Sequence, residues 1–321
     1  MGEPKFSQAR FPSLQISAGH YESFYLKASH PTEPVSIWIR YTVHKRPGHT
    51  ALGSLWFTLF DSREDGPWAV KVTTDDVGTG PSEYIHVGEA RFEPGRVTGS
   101  ADEASWDLSF EPPEEPFHHL PRDFMYRAPL PRTKLLSPYP DARFSGRIQA
   151  AGRSVDLDGW RGMVGHNCGA QHAERWIWLH GAGFDGHEDA WIDAALGRIK
   201  IGPWTTPWIA NGVLSLAGVR HRLGGLGATR RTELAERPDG ATFTLPGKEI
   251  TVQGQVGADR KDFVGWVYAD PDGSEHNTVN CSIANLVLTV SRPAQPPLTL
   301  QLASGAVYEL GMREKDHGMV I

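Results

Sequence analysis

Almost every apolar segment of this chain is short and alternates apolar with polar side chains, which constrains the fold more than any other feature. The segments PVSIWIRYTV (35–44), GSLWFTLF (53–60) and NCSIANLVLTV (280–290) show this two-residue period, bounded by Gly, Pro, Asp and Asn. A period of two places successive side chains on opposite faces of a strand. No long window shows the 3.6-residue period of a helix. We therefore predict an all-β fold of antiparallel barrels or sandwiches.

Length and composition narrow the class further. A chain of 321 residues is long enough for two domains, and 39% hydrophobic content with 11 Trp can build a large core. Lys+Arg 32 against Asp+Glu 38 gives a net charge of −6, without the basic excess expected for nucleic acid or an anionic membrane. Two cysteines, no apolar signal segment and no transmembrane run predict a cytoplasmic protein.

The segment 111–142 is rich in proline, which cannot donate to a strand ladder. We predict a long irregular strap here, with an interdomain linker as the alternative reading. The segment carries more apolar surface than a solvated linker would expose, so we expect it to pack across a barrel. Its large apolar residues are Phe117, Phe124, Met125, Tyr126, Leu135 and Leu136.

The run 160–195 concentrates chemistry-bearing side chains and includes four of the 11 Trp. Asp185-Gly186 lies between two alternating segments, which predicts a two-residue hairpin turn. With the turn there, residues whose numbers sum to 371 face each other, so His180 pairs with Trp191 and Trp178 with Asp193. Alternation then places five side chains on one face: Trp176, Trp178, His180, Trp191 and Asp193.

Asp193 would lie among three indoles on that face. Desolvation there is expected to raise the pKa of its carboxyl group towards that of a general acid. The alternative is a solvent-facing aromatic ladder with Asp193 and His180 at its wet margin.

The glycine-flanked residues His166, Asn167 and Cys168 form the second candidate cluster. An imidazole beside an amide can orient a water or a substrate oxygen, whereas an isolated His is more often buried and bonded to the backbone. The histidines show none of the HxH, HExxH or CxxC-type spacings that hold zinc, so we predict no metal site. The chain also lacks GxSxG and GxGxxG, and we predict no cofactor.

The segments GWRGMVGHNCG (159–169), ERWIW (174–178) and HYESFYL (20–26) resemble a known superfamily. It comprises the carotenoid hydratases (hydroxyneurosporene synthases), tocopherol cyclase and the AttH-like proteins. The resemblance implies two lipocalin-like antiparallel β-barrels in tandem, with an apolar ligand site near their meeting point. We assign 1–172, including the strap, to the first barrel and 173–321 to the second.

The resemblance also implies roles for particular residues. His166 matches the His of a His-Asn-Trp triplet in the carotenoid hydratases, and Trp191-Ile192-Asp193 matches an aromatic-x-Asp pair about 27 residues further on. Cys168 departs from the pattern because it occupies the triplet's Trp position, which leaves the carotenoid substrate open.

These features predict a cofactor-independent acid–base enzyme acting on an apolar, isoprenoid- or polyketide-like substrate by hydration or cyclisation. Asp193 would protonate an alkene, and His166 with Asn167 would activate the water or hydroxyl that captures the cation. Glu22 is the reserve acid, with a buried ion pair as its alternative. The expected substrate-binding residues are Trp176, Trp178, Trp191, His180, Cys168, His20 and Phe24.

Two other functions remain open from sequence. Lipocalin-like barrels commonly carry apolar ligands without chemistry, so a non-catalytic carrier is one alternative. A pericyclase that only shapes its substrate is the other, because it needs the aromatic cavity but no acid.

Overall fold

The computed structural model describes residues 8–111, 115–315 and 317–318. Positions 112–114 of the predicted strap, residue 316 and the ends of the two predicted domains (1–7 and 319–321) lie outside the described residues. Strands make up 64% of the described residues and helix 5%, which confirms the all-β prediction. The helices are short 3₁₀ turns at Phe11–Ser13, Asp123–Tyr126, Leu226–Arg231 and Arg260–Asp262.

The first sheet is built from the strands that precede residue 170. They are β1 (His20–Ser29), β2 (Val35–Lys45), β3 (Leu52–Asp61), β4 (Trp68–Thr74), β5 (Val77–Gly78), β6 (Ile85–Val87), β7 (Ala90–Glu93), β8 (Arg96–Ala101), β9 (Ala104–Glu111), β10 (Phe117–His118), β11 (Thr133–Ala150) and β12 (Arg153–Gly169). Their order is β4-β3-β2-β1-β12-β11-β9-β8-β7-β6-β5, with β10 beside β11. Because β2 and β3 also contact β6, the sheet curls into a nearly closed antiparallel barrel.

The strands that follow residue 174 form the second sheet and a separate hairpin. They are β13 (Arg175–Phe184), β14 (His187–Arg198), β15 (Lys200–Ile201), β16 (Trp204–Thr205), β17 (Ile209–Leu216), β18 (Val219–Gly224), β19 (Glu233–Arg237), β20 (Gly240–Pro246), β21 (Thr251–Gly257), β22 (Val264–Ala269), β23 (Glu275–Ser291) and β24 (Leu298–Met312). The order is β18-β17-β14-β13-β24-β23-β21-β20-β19, with β22 beside β23. Strands β15 and β16 form a separate two-stranded hairpin.

The predicted boundary at 172/173 falls between the last strand of the first sheet and the first strand of the second. The division into domains 1–172 and 173–321 stays a prediction. Among the described residues, no helix has the length and apolar character needed to cross a membrane.

Strand β1 is buried along its whole length, on both faces. Phe24 and Leu26 point into the core of the first barrel. Tyr25, between them, belongs to the core of the second sheet, as does Met163 of the neighbouring strand β12. The outer wall of the first barrel at β1 and β12 is therefore the surface against which the second sheet packs.

The predicted strap is shorter than expected. Residues 133–142 belong to β11, whose pairing with β12 tolerates Pro138 and Pro140 through register irregularities. The described part of the remainder, 115–132, packs rather than forming a solvated linker. Phe117 is buried with Trp191 and Val213 of the second sheet, and the Arg222 side chain donates hydrogen bonds to the carbonyls of His118 and His119.

The hairpin of β13 and β14 turns at Asp185 and Gly186, where Phe184 pairs with His187 as the predicted register requires. Beyond a bulge near Gly183, whose φ is +79°, the pairing shifts by two residues. His180 therefore lies opposite Asp193, not opposite Trp191. A shift of two preserves strand alternation, so the face predicted for the indoles and Asp193 is retained.

Glu22 is a buried carboxylate inside the first barrel that ties the N-terminal segment to the strands. Its oxygens accept hydrogen bonds from the backbone amides of Arg10 (2.8 Å) and Phe11 (2.9 Å) and from His166 Nε2 (2.8 Å), and His20 Nε2 lies at 3.4 Å. Burial raises the pKa of a carboxyl group, but the hydrogen bonds with His166 and His20 outweigh it and hold the pKa of Glu22 at about 2. These contacts satisfy the Glu22 carboxylate within the protein, which favours the structural alternative over an acid role.

Replacing Glu22 by Gln should lower the free energy of unfolding by about 2–4 kcal/mol near neutral pH, because it leaves buried donors without an anion. The pKa of Glu22 is depressed in the folded state, so its stabilisation is complete above the ordinary value of 4.5 and is lost as the pH falls towards 2. Urea denaturation at several pH values should show the difference between wild type and Glu22→Gln shrinking over that range.

Asp107→Asn is the matched control, because Asp107 forms an exposed ion pair with Arg96 and should change the unfolding free energy by under about 1 kcal/mol. Equal effects of the two substitutions would contradict the anchoring role of Glu22.

Candidate functional site

A pocket of about 170 Å³ lies where the two sheets meet. Its volume is well above the roughly 10–15 Å³ that admits a single water. The first sheet contributes residues from β1, β2, β11 and β12, and the second contributes residues from β13, β14, β17, β22 and β24. Aromatic and aliphatic side chains dominate the lining, among them Tyr21, Tyr25, Trp38, Leu120, Leu135, Trp176, Ile177, Trp178, Leu196, Ile209 and Tyr268.

Three of the residues predicted for the site line this pocket: Asn167, Trp176 and Trp178. The Trp178 ring meets Tyr25 edge-on at 5.0 Å. Trp176 fits because position 311 on the neighbouring strand is Gly, where a Cβ would come within 2.1 Å of the indole. Asn167 Oδ1 and Trp178 Nε1 are buried without hydrogen-bond partners among the described residues, so the protein leaves both polar atoms unsatisfied at the wall of the pocket.

His172 is the first functional candidate that the sequence reasoning missed. Its ring lines the pocket, stacked on Tyr21 at 3.8 Å and on Trp176 at 5.3 Å. Nδ1 lies 2.6 Å from Asp270 Oδ1, while Nε2 is buried and has no hydrogen-bond partner within the described chain. Burial lowers the pKa of His172, although the hydrogen bond with Asp270 opposes the change. The imidazole is therefore neutral near pH 7, with the proton on Nδ1 and a lone pair on Nε2.

A second histidine–aspartate pair lies at the same pocket. His119, from the strap, lines it, and His119 Nε2 lies 3.2 Å from both Asp193 Oδ2 and Ser137 Oγ. Nδ1 lies 3.2 Å from the backbone carbonyl of Asn211, which can only accept. Ser137 donates its own proton to Asp193 at 2.5 Å. Both ring nitrogens of His119 thus face acceptors, an arrangement that the doubly protonated ring satisfies.

Asp193 itself is not among the residues that line the pocket. Burial raises its pKa, as predicted, but the charge of His119 and the hydrogen bonds with His119 and Ser137 outweigh burial, and the pKa of Asp193 is lowered. The expectation of a raised pKa is wrong, because three-dimensional partners that no local spacing reveals surround the carboxylate. Asp193 is an anion that holds His119.

The structure separates Asp193 from His166. His166 stacks on Phe24 at 4.1 Å and bonds Glu22 inside the first barrel. It pairs across the ladder with Leu136, whereas the next residue, Ser137, reaches Asp193 on the other side of the sheet. The expected cooperation of Asp193 and His166 is therefore not supported, since the backbone of the first barrel lies between them.

The other predicted residues occupy two places away from the pocket. His20 and Cys168 lie with Glu22 in the first barrel, where burial raises the pKa of the Cys168 thiol to about 12 and keeps it neutral. Trp191 and His180 lie on the face of the second sheet that packs against the first half of the chain. His180 Nε2 donates to the carbonyl of Pro140, and burial lowers its pKa to about 4.

A polar wall, also missed from sequence, closes one side of the pocket. Glu309 accepts hydrogen bonds from Trp176 Nε1 (3.0 Å), Tyr268 Oη (3.1 Å) and Asn280 Nδ2 (3.0 Å). The Arg40 guanidinium lies over the Tyr268 ring at 4.1 Å. This wall fixes the orientation of Trp176 and places a carboxylate and a guanidinium beside a pocket whose lining is mostly aromatic and aliphatic.

Two groups of side chains have donor atoms close enough to hold a metal ion: His20, Glu22 and Cys168, and His172, Asp270 and His276. In the first, the Glu22 oxygens already accept backbone amides. In the second, Asp270 accepts from the His172 amide and from Nδ1 of its ring. Each group joins two residues that are close in sequence to a third from far along the chain: His20 and Glu22 to Cys168, and Asp270 and His276 to His172.

No protein-family model matches the chain. Two uncharacterized proteins of Mycobacterium tuberculosis, from strains CDC 1551 and H37Rv, are each 25% identical to it over 295 residues, which is 87% of this chain and 83% of theirs.

Three solved structures resemble the fold over most of their length. An AttH-type protein from Nitrosomonas europaea has a TM-score of 0.59 at 13% identity and covers 95% of this chain and 97% of its own. Kievitone hydratase from Nectria haematococca has a TM-score of 0.56 at 10% identity, with 91% and 89% covered. CghA with Sch210972 has a TM-score of 0.63 at 10% identity, with 92% and 88% covered. The chain thus shares the fold of these three proteins, and this fold is the tandem lipocalin-like arrangement that its motifs implied.

Proposed function

We propose that this protein is an acid–base enzyme of the hydratase or cyclase type, which adds water or an internal hydroxyl to an alkene of an apolar ligand held between the two sheets. One observation carries the proposal: the histidines of two histidine–aspartate pairs, His119 and His172, line the same apolar pocket in different hydrogen-bond environments. His119 has both ring nitrogens facing acceptors, and His172 has a bare Nε2. An acid and a base whose environments set them apart are what such an addition needs.

The proton balance follows from this arrangement. One N–H of His119 leaves its protein acceptor, Asp193 or the Asn211 carbonyl, and gives its proton to an alkene carbon. The indole faces of Trp176 and Trp178 stabilise the cation that forms. His172 Nε2 takes a proton from the water or hydroxyl whose oxygen bonds to the cation, and the Asn167 amide orients that oxygen. The net change is addition of H and OH, or of H and OR, across the double bond. Proton exchange with solvent then restores both histidines.

Asp193 takes a different role in this scheme from the one expected from sequence. It acts as a positioning residue that orients His119, and Asp270 orients His172 in the same way. The name of kievitone hydratase, which shares the fold, supports the hydration branch. The aromatic and aliphatic lining supports an isoprenoid- or polyketide-like substrate.

The test is turnover in D₂O of a panel of prenylated and polyene compounds. Any apolar ligand that native mass spectrometry detects on the purified protein is added to this panel. Proton transfer to an alkene should place one solvent deuterium on a product carbon, detected by mass spectrometry and NMR. A rearranged product without deuterium would show a pericyclase. Binding without turnover of any compound would show a carrier, and either result would overturn the proposal.

Replacing His172 by Gln should lower kcat by about 10²-fold or more, because it removes the proton acceptor while keeping a polar side chain of similar reach. Steady-state kinetics and ligand titration on the same preparation would show turnover lost and binding retained. His187→Gln makes the same chemical change outside the pocket and should leave kcat within about twofold. Unchanged kcat in His172→Gln would remove this residue from the mechanism.

The dependence of kcat/KM on pH should show an acid limb that belongs to His172. Its pKa is lowered by burial from the ordinary value of 6.5, so the base is neutral near pH 7 and becomes protonated, and inactive, as the pH falls below that value. Asp270 opposes the shift, so Asp270→Asn should move the limb to still lower pH as well as reduce kcat. A limb at or above pH 6.5 in wild type would contradict the assignment.

A further inference from the structure

Two exposed segments frame the mouth of the inter-barrel pocket, and both carry unpartnered apolar side chains. Segment 120–132 of the strap contributes Leu130 to the lining, and segment 198–206 contributes Lys200. Outside the lining, the same segments expose Phe124 in the first and Trp204 in the second.

The hairpin of β15 and β16 is the most exposed apolar element. Ile201 pairs with Trp204 across it, and the two side chains are 59% and 78% exposed. The hairpin belongs to neither large sheet. Exposing an isoleucine and a tryptophan side by side on a small hairpin does not stabilise the fold. We therefore interpret the pair as an interaction surface.

The strap also exposes large apolar side chains beside the pocket. Phe124 is 62% exposed and Leu130 is 56% exposed. Four of the nine large hydrophobic side chains exposed on the described chain therefore lie in these two short segments. The concentration at the mouth of one pocket distinguishes them from the single exposed apolar residues that any surface carries.

The net charge of the two segments is opposite in sign to that of the whole chain. The two segments contain five cationic side chains and one carboxylate, Asp123, whereas the chain as a whole carries a net charge of −6. Glu174, which also lines the pocket, lies 3.4 Å from Arg313. The cations of the two segments are Arg122, Arg127, Arg132, Arg198 and Lys200.

We propose that this mouth docks on an anionic lipid bilayer, with Ile201, Trp204, Phe124 and Leu130 in the interfacial layer and the cations against the headgroups. Tryptophan beside basic residues is the combination that suits the membrane interface, where the ring is buried and the cations meet anionic headgroups. The docked orientation opens the apolar pocket towards the lipid, so an apolar ligand reaches it without crossing water. A net charge of −6 predicts no anionic membrane partner, but a net charge does not report where on the surface the charges lie.

Docking does not depend on the proposed chemistry and is measured without a substrate. Wild-type full-length protein should float with phosphatidylcholine vesicles containing about a third phosphatidylglycerol. It should float much less with pure phosphatidylcholine, and binding should weaken as salt is raised.

The apolar contacts are tested by Ile201→Ser and by the double variant I201S/W204A, which should lower the partition coefficient by about fivefold and by more than tenfold. Ile16→Ser is the matched control, because Ile16 is also 59% exposed but lies outside both segments. It should bind like wild type. Circular dichroism confirms that each variant is folded.

The charge contribution is tested by R122E/K200E, which should lower binding to anionic vesicles by more than tenfold and leave the weak binding to pure phosphatidylcholine unchanged. Three results would overturn the proposal: no flotation of wild type, equal flotation with both vesicle types, or equal losses in Ile16→Ser and Ile201→Ser. The first would leave the mouth as a surface for a protein partner.

Discussion

Burial of β1 on both faces is the constraint on which the rest of the structure depends. An antiparallel barrel normally leaves one face of each strand in water, and polar residues are tolerated there. Here the outer face at β1 and β12 packs against a second sheet, so Tyr25 and Met163 join that sheet's core. Large aromatic side chains on two twisted sheets do not fill the space between them completely. The remaining volume is the pocket, and its lining comes from the outside of one barrel and the facing side of the other.

Strand alternation could be predicted from sequence, and with it the composition of each face. The hairpin face that carries Trp178 and Asp193 is unchanged by a two-residue error in register, because side chains two residues apart lie on the same face of a strand. Strand alternation does not predict whether a face lines the interior of the first barrel or the pocket between the sheets. His166 and Asn167 are adjacent in sequence, yet one points into the first barrel and the other into the pocket. A one-residue difference decides between a structural contact and a site residue.

The partners of the site could not be found from sequence, for a physical reason. Asp270 reaches His172 across 98 positions, and His119 reaches Asp193 from a proline-rich segment that has no periodicity to read. Spacing rules work where ligands share a helix turn or a hairpin, and neither pair does. The resemblance identified the fold and the segment near 160–195, but the protonation of each group depends on neighbours brought together only by packing. The raised pKa expected for Asp193 is wrong for this reason.

Buried ionisable pairs are poor devices for stability, because their mutual attraction seldom exceeds the cost of removing them from water, and well-packed apolar residues would serve as well or better. Glu22 could not be replaced by an apolar residue without cost, because backbone amides of the N-terminal segment need an acceptor there. No such structural requirement applies to His172. Its Nε2 is buried without a hydrogen bond among the described residues, beside aromatic rings that would pack equally well against a leucine. A polar atom kept unsatisfied at the wall of a cavity costs folding free energy and is useful only when something enters that cavity. The open lone pair of His172 therefore separates the proposed enzyme site from the structural cluster around Glu22, although both contain histidine and carboxylate.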